Sequence, residues 1–281
     1  MPRPQPGPAS RSSLVTERTP RVVAAGKLSR RRDRDQAGAF LVEGPQAVRE
    51  ALGTPDQVCR ELFVTEAALQ RNDGLLQVAE GLGVRISPAT DRAVVGLAGT
   101  NHPQGIVGVC GTIDVPLAES VTGSVQLACI LADVRDPGNA GAVLRCADAA
   151  GAGAVVFAGD SVDPYNGKCV RASAGSIFHV PLTAQVPVSE AIEHTRAQGL
   201  TVFAATPNGD ADLDELSDAG ELTGPTAWMF GNEAWGIPYS IAVQADRTVR
   251  IPIYGRAESL NLATASALCF YTSARAQRAG R

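Results

Sequence analysis

The sequence predicts an α/β protein in two parts, a parallel-sheet domain at the carboxyl end preceded by a small α/β domain. Three observations carry this. From Gln126 onward, apolar runs of strand length alternate with longer helical patterns, which implies buried strands in a mainly parallel sheet covered on both faces. From Arg21 to about Thr112 the segments are shorter and change type more often. Before both, Met1–Pro20 carries Pro at 2, 4, 6, 8 and 20 among Arg and Ser, with too little apolar surface to offset the entropy of ordering. The expected division is a disordered basic arm over 1–20, an α/β domain over 21–112, a linker over 113–125 and the parallel-sheet domain over 126–281.

In the first domain, Val22–Leu28 reads as a helix leading into the basic cluster Arg30, Arg31, Arg32 and Arg34. Phe40–Val42 is a strand, and Pro45–Leu52 a helix with Pro in its first turn, where the missing N–H is harmless. Leu62–Thr65, Val84–Ile86 and Gly105–Cys110 are strands, with helical stretches from Glu66 and over Leu75–Leu82 between them. Asp114–Ser124, with Pro116 and Gly123, has the composition of a linker. Beyond it, Leu127–Val134, Ala154–Ala158, Leu200–Ala205, Thr226–Phe230 and Val249–Ile253 are strands. Ala142–Ala150, Ser189–Gln198 and Leu260–Ala276 are helices.

Composition narrows the class. Of 281 residues, 44% are hydrophobic and 19% charged, enough for buried cores, and no run reaches the length of a membrane span. No apolar leader core follows Met1, so the expectation is a soluble, cytoplasmic protein without membrane partners. The six cysteines are dispersed with no C-x-x-C pair and three histidines lack ligand spacing, so neither a disulfide framework nor a metal site is expected. The net charge of −4 hides an asymmetry: residues 1–35 hold nine Arg or Lys against three Asp or Glu. A basic start on an acidic body suits contact with nucleic acid, because counterion release rewards local positive charge. It also occurs as a solvated helix end, and composition leaves both readings open.

Three loops follow apolar strands, where ligands gather in open α/β sheets. In the first, Asp133–Arg145, Asn139 has the character of a helix N-cap and Gly138 and Gly141 allow close backbone approach. Arg145 then lies on a small, apolar helix, where it needs an acid such as Asp148, a phosphate or water. In the second, Met229–Pro238, Gly231 and Gly236 flank the carboxylate of Glu233, with Trp235 beside it. In the third, Ile251–Ala265, an irregular loop carries Arg256 and Glu258 before Ser259 and Asn261 open a helix. No dinucleotide glycine fingerprint follows a strand, since Gly151 and Gly153 precede one, and Gly167-Lys168 is not a phosphate loop. An ordinary nicotinamide oxidoreductase is thereby disfavoured.

In this order, Asn139–Arg145, Gly231–Gly236 and Ile251–Asn261 resemble the three signature motifs of the SpoU/TrmH class of SPOUT RNA 2′-O-ribose methyltransferases. Asp163–Gly175 resembles the segment between the first two, and Phe40–Gly44 the substrate-binding domain, so the likeness covers about 20–275. The resemblance implies a C-terminal SPOUT domain with a deep trefoil knot, a homodimer through that domain, and S-adenosylmethionine as methyl donor without a metal. It implies Arg145, Asn139, Glu233, Ser259 and Asn261 as the catalytic rim, and Thr206, Gly231, Ile251 and Leu260 as the donor contacts. The arginine matching Arg145 is proposed as a general base in related enzymes; an orienting, electrostatic role on the acceptor ribose and phosphate fits a guanidinium that keeps its proton. Arg30, Arg31, Arg32, Arg34 and Arg171 are the candidate RNA contacts, with Ser173 a candidate for RNA or the dimer. The front domain favours ribosomal RNA as substrate. Transfer RNA, or RNA binding without catalysis, is the alternative.

Overall fold

The structure, a computed structural model, describes residues 14–279. Residues 1–13 of the expected arm lie outside the described residues. The chain divides into two compact units between Gly111 and Thr112.

The first unit runs α1 (Pro20–Lys27), α2 (Arg31–Ala37), β1 (Ala39–Glu43), α3 (Pro45–Leu52), β2 (Cys59–Thr65), α4 (Glu66–Arg71), α5 (Asp73–Gly81), β3 (Arg85–Ala89), α6 (Asp91–Leu97) and β4 (Ile106–Gly111). Its sheet has the order β1-β4-β2-β3, with β4 antiparallel to both neighbours and β2 parallel to β3. The expected disorder of the arm does not extend to its last residues. Val15 is buried, its N–H donates to the Pro88 carbonyl at 2.8 Å, and it packs with Val22, Ala25 and Phe63, so one apolar side chain ties the segment down. The basic cluster is itself a short helix, α2, rather than the end of α1.

The second unit runs α7 (Leu117–Ser120), β5 (Leu127–Ala132), α8 (Pro137–Ala150), β6 (Ala154–Ala158), α9 (Gly167–Ser173), β7 (Leu182–Val186), α10 (Val188–Ala197), β8 (Thr201–Ala205), β9 (Ala211–Asp212), α11 (Leu213–Asp218), β10 (Thr226–Phe230), α12 (Tyr239–Ala242), β11 (Arg247–Arg250) and α13 (Leu262–Ala279). Its seven strands, in the order β7-β6-β5-β10-β8-β11-β9, pair in parallel throughout. Alternate residues of β5 serve opposite faces. Ala128, Ile130 and Ala132 enter a core with Val156, Ile192, Val202 and Met229, while Leu127, Cys129 and Leu131 are equally buried. On β10, Phe230 meets Phe270 of α13 edge-on at 5.5 Å, and the Trp228 indole N–H donates to the Ser273 hydroxyl at 2.9 Å. Burial on both faces is why these strands read as continuous apolar runs.

The chain builds outward from β5 through β6 to β7, then crosses back to β8 on the far side of β10. The direction of winding therefore reverses between β5 and β10, the position where crevices open at the carboxyl ends of strands. Residues 113–125, expected as a linker, are hydrogen-bonded at their start to the rest of the second unit. The Tyr165 hydroxyl accepts from the Ile113 and Asp114 N–H groups and donates to the Asp114 carboxylate, all within 2.7 Å, and the Val115 N–H donates to Leu182. Burial, then the Asp114 carboxylate, pushes the Tyr165 phenol well above its ordinary pKa, so it stays a neutral donor. Among the described residues, no helix is long and apolar enough to cross a membrane.

Candidate functional site

The three loops meet at the carboxyl ends of the central strands. After β5, Asp133 adopts a left-handed conformation (φ 57°), and the chain turns into α8 with Pro137 in the first turn. The N-cap is Asp136 rather than Asn139: its carboxylate accepts from the Asn139 N–H at 2.7 Å, placing Asn139 in the first helical turn with its amide free for other work. Lys168 reaches the same carboxylate at 2.9 Å, and this contact, then the Asn139 N–H, holds Asp136 below the usual carboxylate pKa.

After β10, residues 232–236 close on themselves through paired Asn232 and Gly236 backbone hydrogen bonds of 3.0 and 2.9 Å. Gly236 has φ 69°, and a Cβ at Gly231 would lie 2.5 Å from the Gly236 backbone, so both glycines are required by this return. Buried Asn232 fastens the loop to the first one, donating from Nδ2 to the Asp133 carbonyl at 2.8 Å. At the tip, the Glu233 carboxylate accepts from the backbone N–H groups of Arg135 (3.3 Å) and Asp136 (3.2 Å) and from Asn139 Nδ2 (3.3 Å).

The third loop joins the same network. Asn261 caps α13, accepting the Ala263 N–H at 2.9 Å, while its Nδ2 donates to Asn139 Oδ1 at 3.1 Å. A continuous hydrogen-bonded chain, Asn261–Asn139–Glu233, thus unites residues more than ninety positions apart in sequence. Arg145 is exposed on α8 with no hydrogen bond or ion pair among the described residues, so of the acid, phosphate or water expected for it, it reaches water; Asp148, one candidate acid, holds His179 at 2.8 Å. Ser259 is exposed in the third loop.

Gly231, Thr206 and Ile251 follow the adjacent strands β10, β8 and β11, and Leu260 precedes α13. Thr206 already uses both backbone groups, donating to Val249 and accepting from Gly209, which leaves its hydroxyl. Residues 253–260 make no backbone–backbone hydrogen bond among the described residues, so this loop presents donors and acceptors beside the apolar side chains of Ile251, Ile253 and Leu260. Such a mixture suits a planar, polar-edged ring with an apolar face. The predicted strand Val249–Ile253 ends at Arg250 because the chain leaves the sheet before Pro252 to form this loop.

Two expectations are corrected. Arg34 is not available to RNA: it is 3% exposed, and its guanidinium donates to the Leu28 and Ser29 carbonyls at the end of α1. Ser173 is fully buried and donates to Val170, so it presents no surface for RNA or a second chain. Arg30, Arg31 and Arg32 are exposed on the first unit, and Arg171 is half-buried on α9. Sequence reasoning passed over Asp136, Asn232 and Arg135. The first was legible, since Asp before Pro at the start of a helix is an N-cap signature. Among the described residues, no group of three His, Cys, Asp or Glu side chains is placed to hold a metal.

Fold and site define a SPOUT-type α/β methyltransferase unit that follows a separate amino-terminal domain in the chain, and solved structures resemble it. An AdoMet-bound rRNA methyltransferase from Sinorhizobium meliloti superposes with TM-score 0.81 and 28% identity, covering 95% of this chain and 98% of that one. The SpoU methyltransferase AviRb from Streptomyces viridochromogenes, in complex with AdoMet, gives 0.78 and 28% over 94% and 100%. The chain belongs to the SpoU rRNA methylase family, which matches residues 126–271, and an MRM3-like substrate binding domain matches 19–108. The 23S rRNA (guanosine(2553)-2′-O)-methyltransferase RlmP of Bacillus subtilis is 30% identical over 87% of this chain and 92% of its own length.

Proposed function

We propose that this chain transfers a methyl group from S-adenosylmethionine to a ribose 2′-hydroxyl in ribosomal RNA. Arg145, Asn139, Glu233, Ser259 and Asn261 surround the acceptor in this reading, and Thr206, Gly231, Ile251 and Leu260 surround the donor. The observation that carries it is the Asn261–Asn139–Glu233 chain joining three strand-end loops, with Arg145, on the helix that the first loop opens, making no hydrogen bond or ion pair among the described residues.

The residues fit the donor. The backbone of 253–260 suits an adenine edge, and apolar Ile251 and Leu260 suit its faces. When bound, S-adenosylmethionine supplies an activated methyl on a positively charged sulfur. Positive charge must leave that sulfur in the transition state, so a carboxylate holding it would favour the ground state. Glu233 avoids this, because three N–H donors already engage its oxygens and turn its charge toward the protein. The carboxylate instead fixes Asn139, and through it the start of α13. Arg145 keeps its proton and orients the acceptor through its ribose and phosphate oxygens; holding the hydroxyl in line with the methyl lowers the entropic cost of the transfer.

Ribosomal RNA is favoured over transfer RNA by the relatives' own 23S rRNA targets and by the front domain. Exposed Leu268 and Tyr271, one turn apart on α13, support a homodimer through the carboxyl-terminal unit. Membership of the SpoU family and the likeness to solved SpoU-type structures support the trefoil knot. Six free thiols suit a reducing cytoplasm. The test is methyl transfer from labelled donor to unmodified transcripts of large-subunit RNA, small-subunit RNA and transfer RNA, followed by nucleoside mass spectrometry. The expected product is one 2′-O-methylated nucleoside from ribosomal RNA. Label in transfer RNA alone reassigns the substrate, and RNA binding without transfer establishes the inactive homologue.

A further inference from the structure

The loop that presents Glu233 to the network also presents Trp235 to solvent. The indole is 53% exposed, on a turn fixed by Asn232, Gly236 and the Ala234 N–H bond to Asn232 Oδ1 at 2.8 Å. Arg135 lies over the ring at 5.1 Å from its centre, and Asp160 holds that guanidinium at 3.3 Å. The Arg135 backbone N–H is itself bound to Glu233, so the cation, the indole and the carboxylate lie on two loops joined to each other. An exposed aromatic face with a guanidinium stacked against it, in register with groups that position a ribose, is how proteins hold an unstacked base.

We infer that Trp235 and Arg135 form a stacking platform for an RNA nucleobase flanking the target ribose. The inference rests on the RNA methyltransferase reading and adds a base-binding subsite to it. Arg135 serves twice, holding the indole in place and offering its remaining N–H donors to the adjoining phosphate. Stacking tolerates any base, so this subsite fixes the geometry of the strand while sequence choice resides elsewhere.

Trp228, the only other tryptophan, is fully buried, so a Trp228→Phe background isolates Trp235 as an intrinsic fluorophore. Unmodified large-subunit RNA transcript is titrated into this protein, with filter binding recorded in parallel. The expected result is quenching of Trp235 along the binding curve. In the otherwise native chain, Trp235→Ala raises KM for RNA by about tenfold and Trp235→Phe recovers most of it, with donor affinity and oligomeric state unchanged. Binding without any change in Trp235 emission overturns the platform and leaves the methyltransferase reading standing. Loss of the oligomer in Trp235→Ala, with KM unaltered in the Phe variant and no RNA-dependent quenching, makes this a protein–protein contact and also overturns it. Failure to bind any transcript removes the RNA reading and the platform with it. If Trp228→Phe unfolds the chain, protection of Trp235 from oxidation by bound RNA, read by mass spectrometry, replaces the quenching and has the same two outcomes.

Discussion

Arg145 stands alone among basic residues on a helix otherwise built from small apolar side chains, and the acid one turn further on is engaged by His179. Its side chain makes no hydrogen bond or ion pair among the described residues, so Arg145→Ala should leave stability within about 0.5 kcal/mol of the parent. Methyl transfer should fall by about 100-fold or more, as when an oriented donor is removed from a reacting centre, with donor binding unaffected. Arg145→Lys should recover little if the planar fork is what orients the acceptor; near-normal turnover in that variant would refute this role. The motif resemblance singles out Arg145, Asn139, Glu233 and Asn261, and the structure joins the last three by hydrogen bonds. The burial of Arg34 was not legible, since a run of arginines does not reveal which one turns inward to cap a preceding helix.

At the scale of elements, α8 and α9 approach so closely that a Cβ on Gly141 would lie 2.3 Å from the Cys169 carbonyl. Backbone cannot yield as a flexible side chain does, so Gly141→Ala should destabilise the protein by about 2 kcal/mol or more in denaturant unfolding. The cap of α8 gives a pH signature. The Asp136 pKa is lowered in the folded state by Lys168 and the Asn139 N–H, so its contribution is complete above the ordinary carboxylate pKa and is lost as pH falls through the lowered value. Asp136→Asn should therefore flatten the acid limb of thermal stability and leave the neutral and alkaline limbs in shape. Strands β5, β6, β8 and β10 were legible because burial on both faces makes them uniformly apolar. Strand β7, half-exposed at the sheet edge, and the short α9 and β9 lacked that signal. The order β5-β10-β8 depends on long-range pairing and is invisible to local periodicity.

For the whole molecule, charge is distributed unevenly: the basic excess lies within the first 35 residues and the remainder is acidic. Arg30, Arg31 and Arg32 are exposed, so replacing all three with alanine should weaken RNA binding and lower the slope of log affinity against log salt by about two to three. An unchanged slope would return them to the role of a solvated helix end. The central claim is that Asn261, Asn139 and Glu233 act as one unit linking three loops around the acceptor. Single-turnover methyl transfer to ribosomal RNA, compared in Asn139→Ala, Glu233→Ala and the double variant, tests it directly. A shared unit predicts that the double variant loses little more than the worse single one, because either change already breaks the chain. Losses that multiply, with each variant folded and binding donor normally, would contradict it.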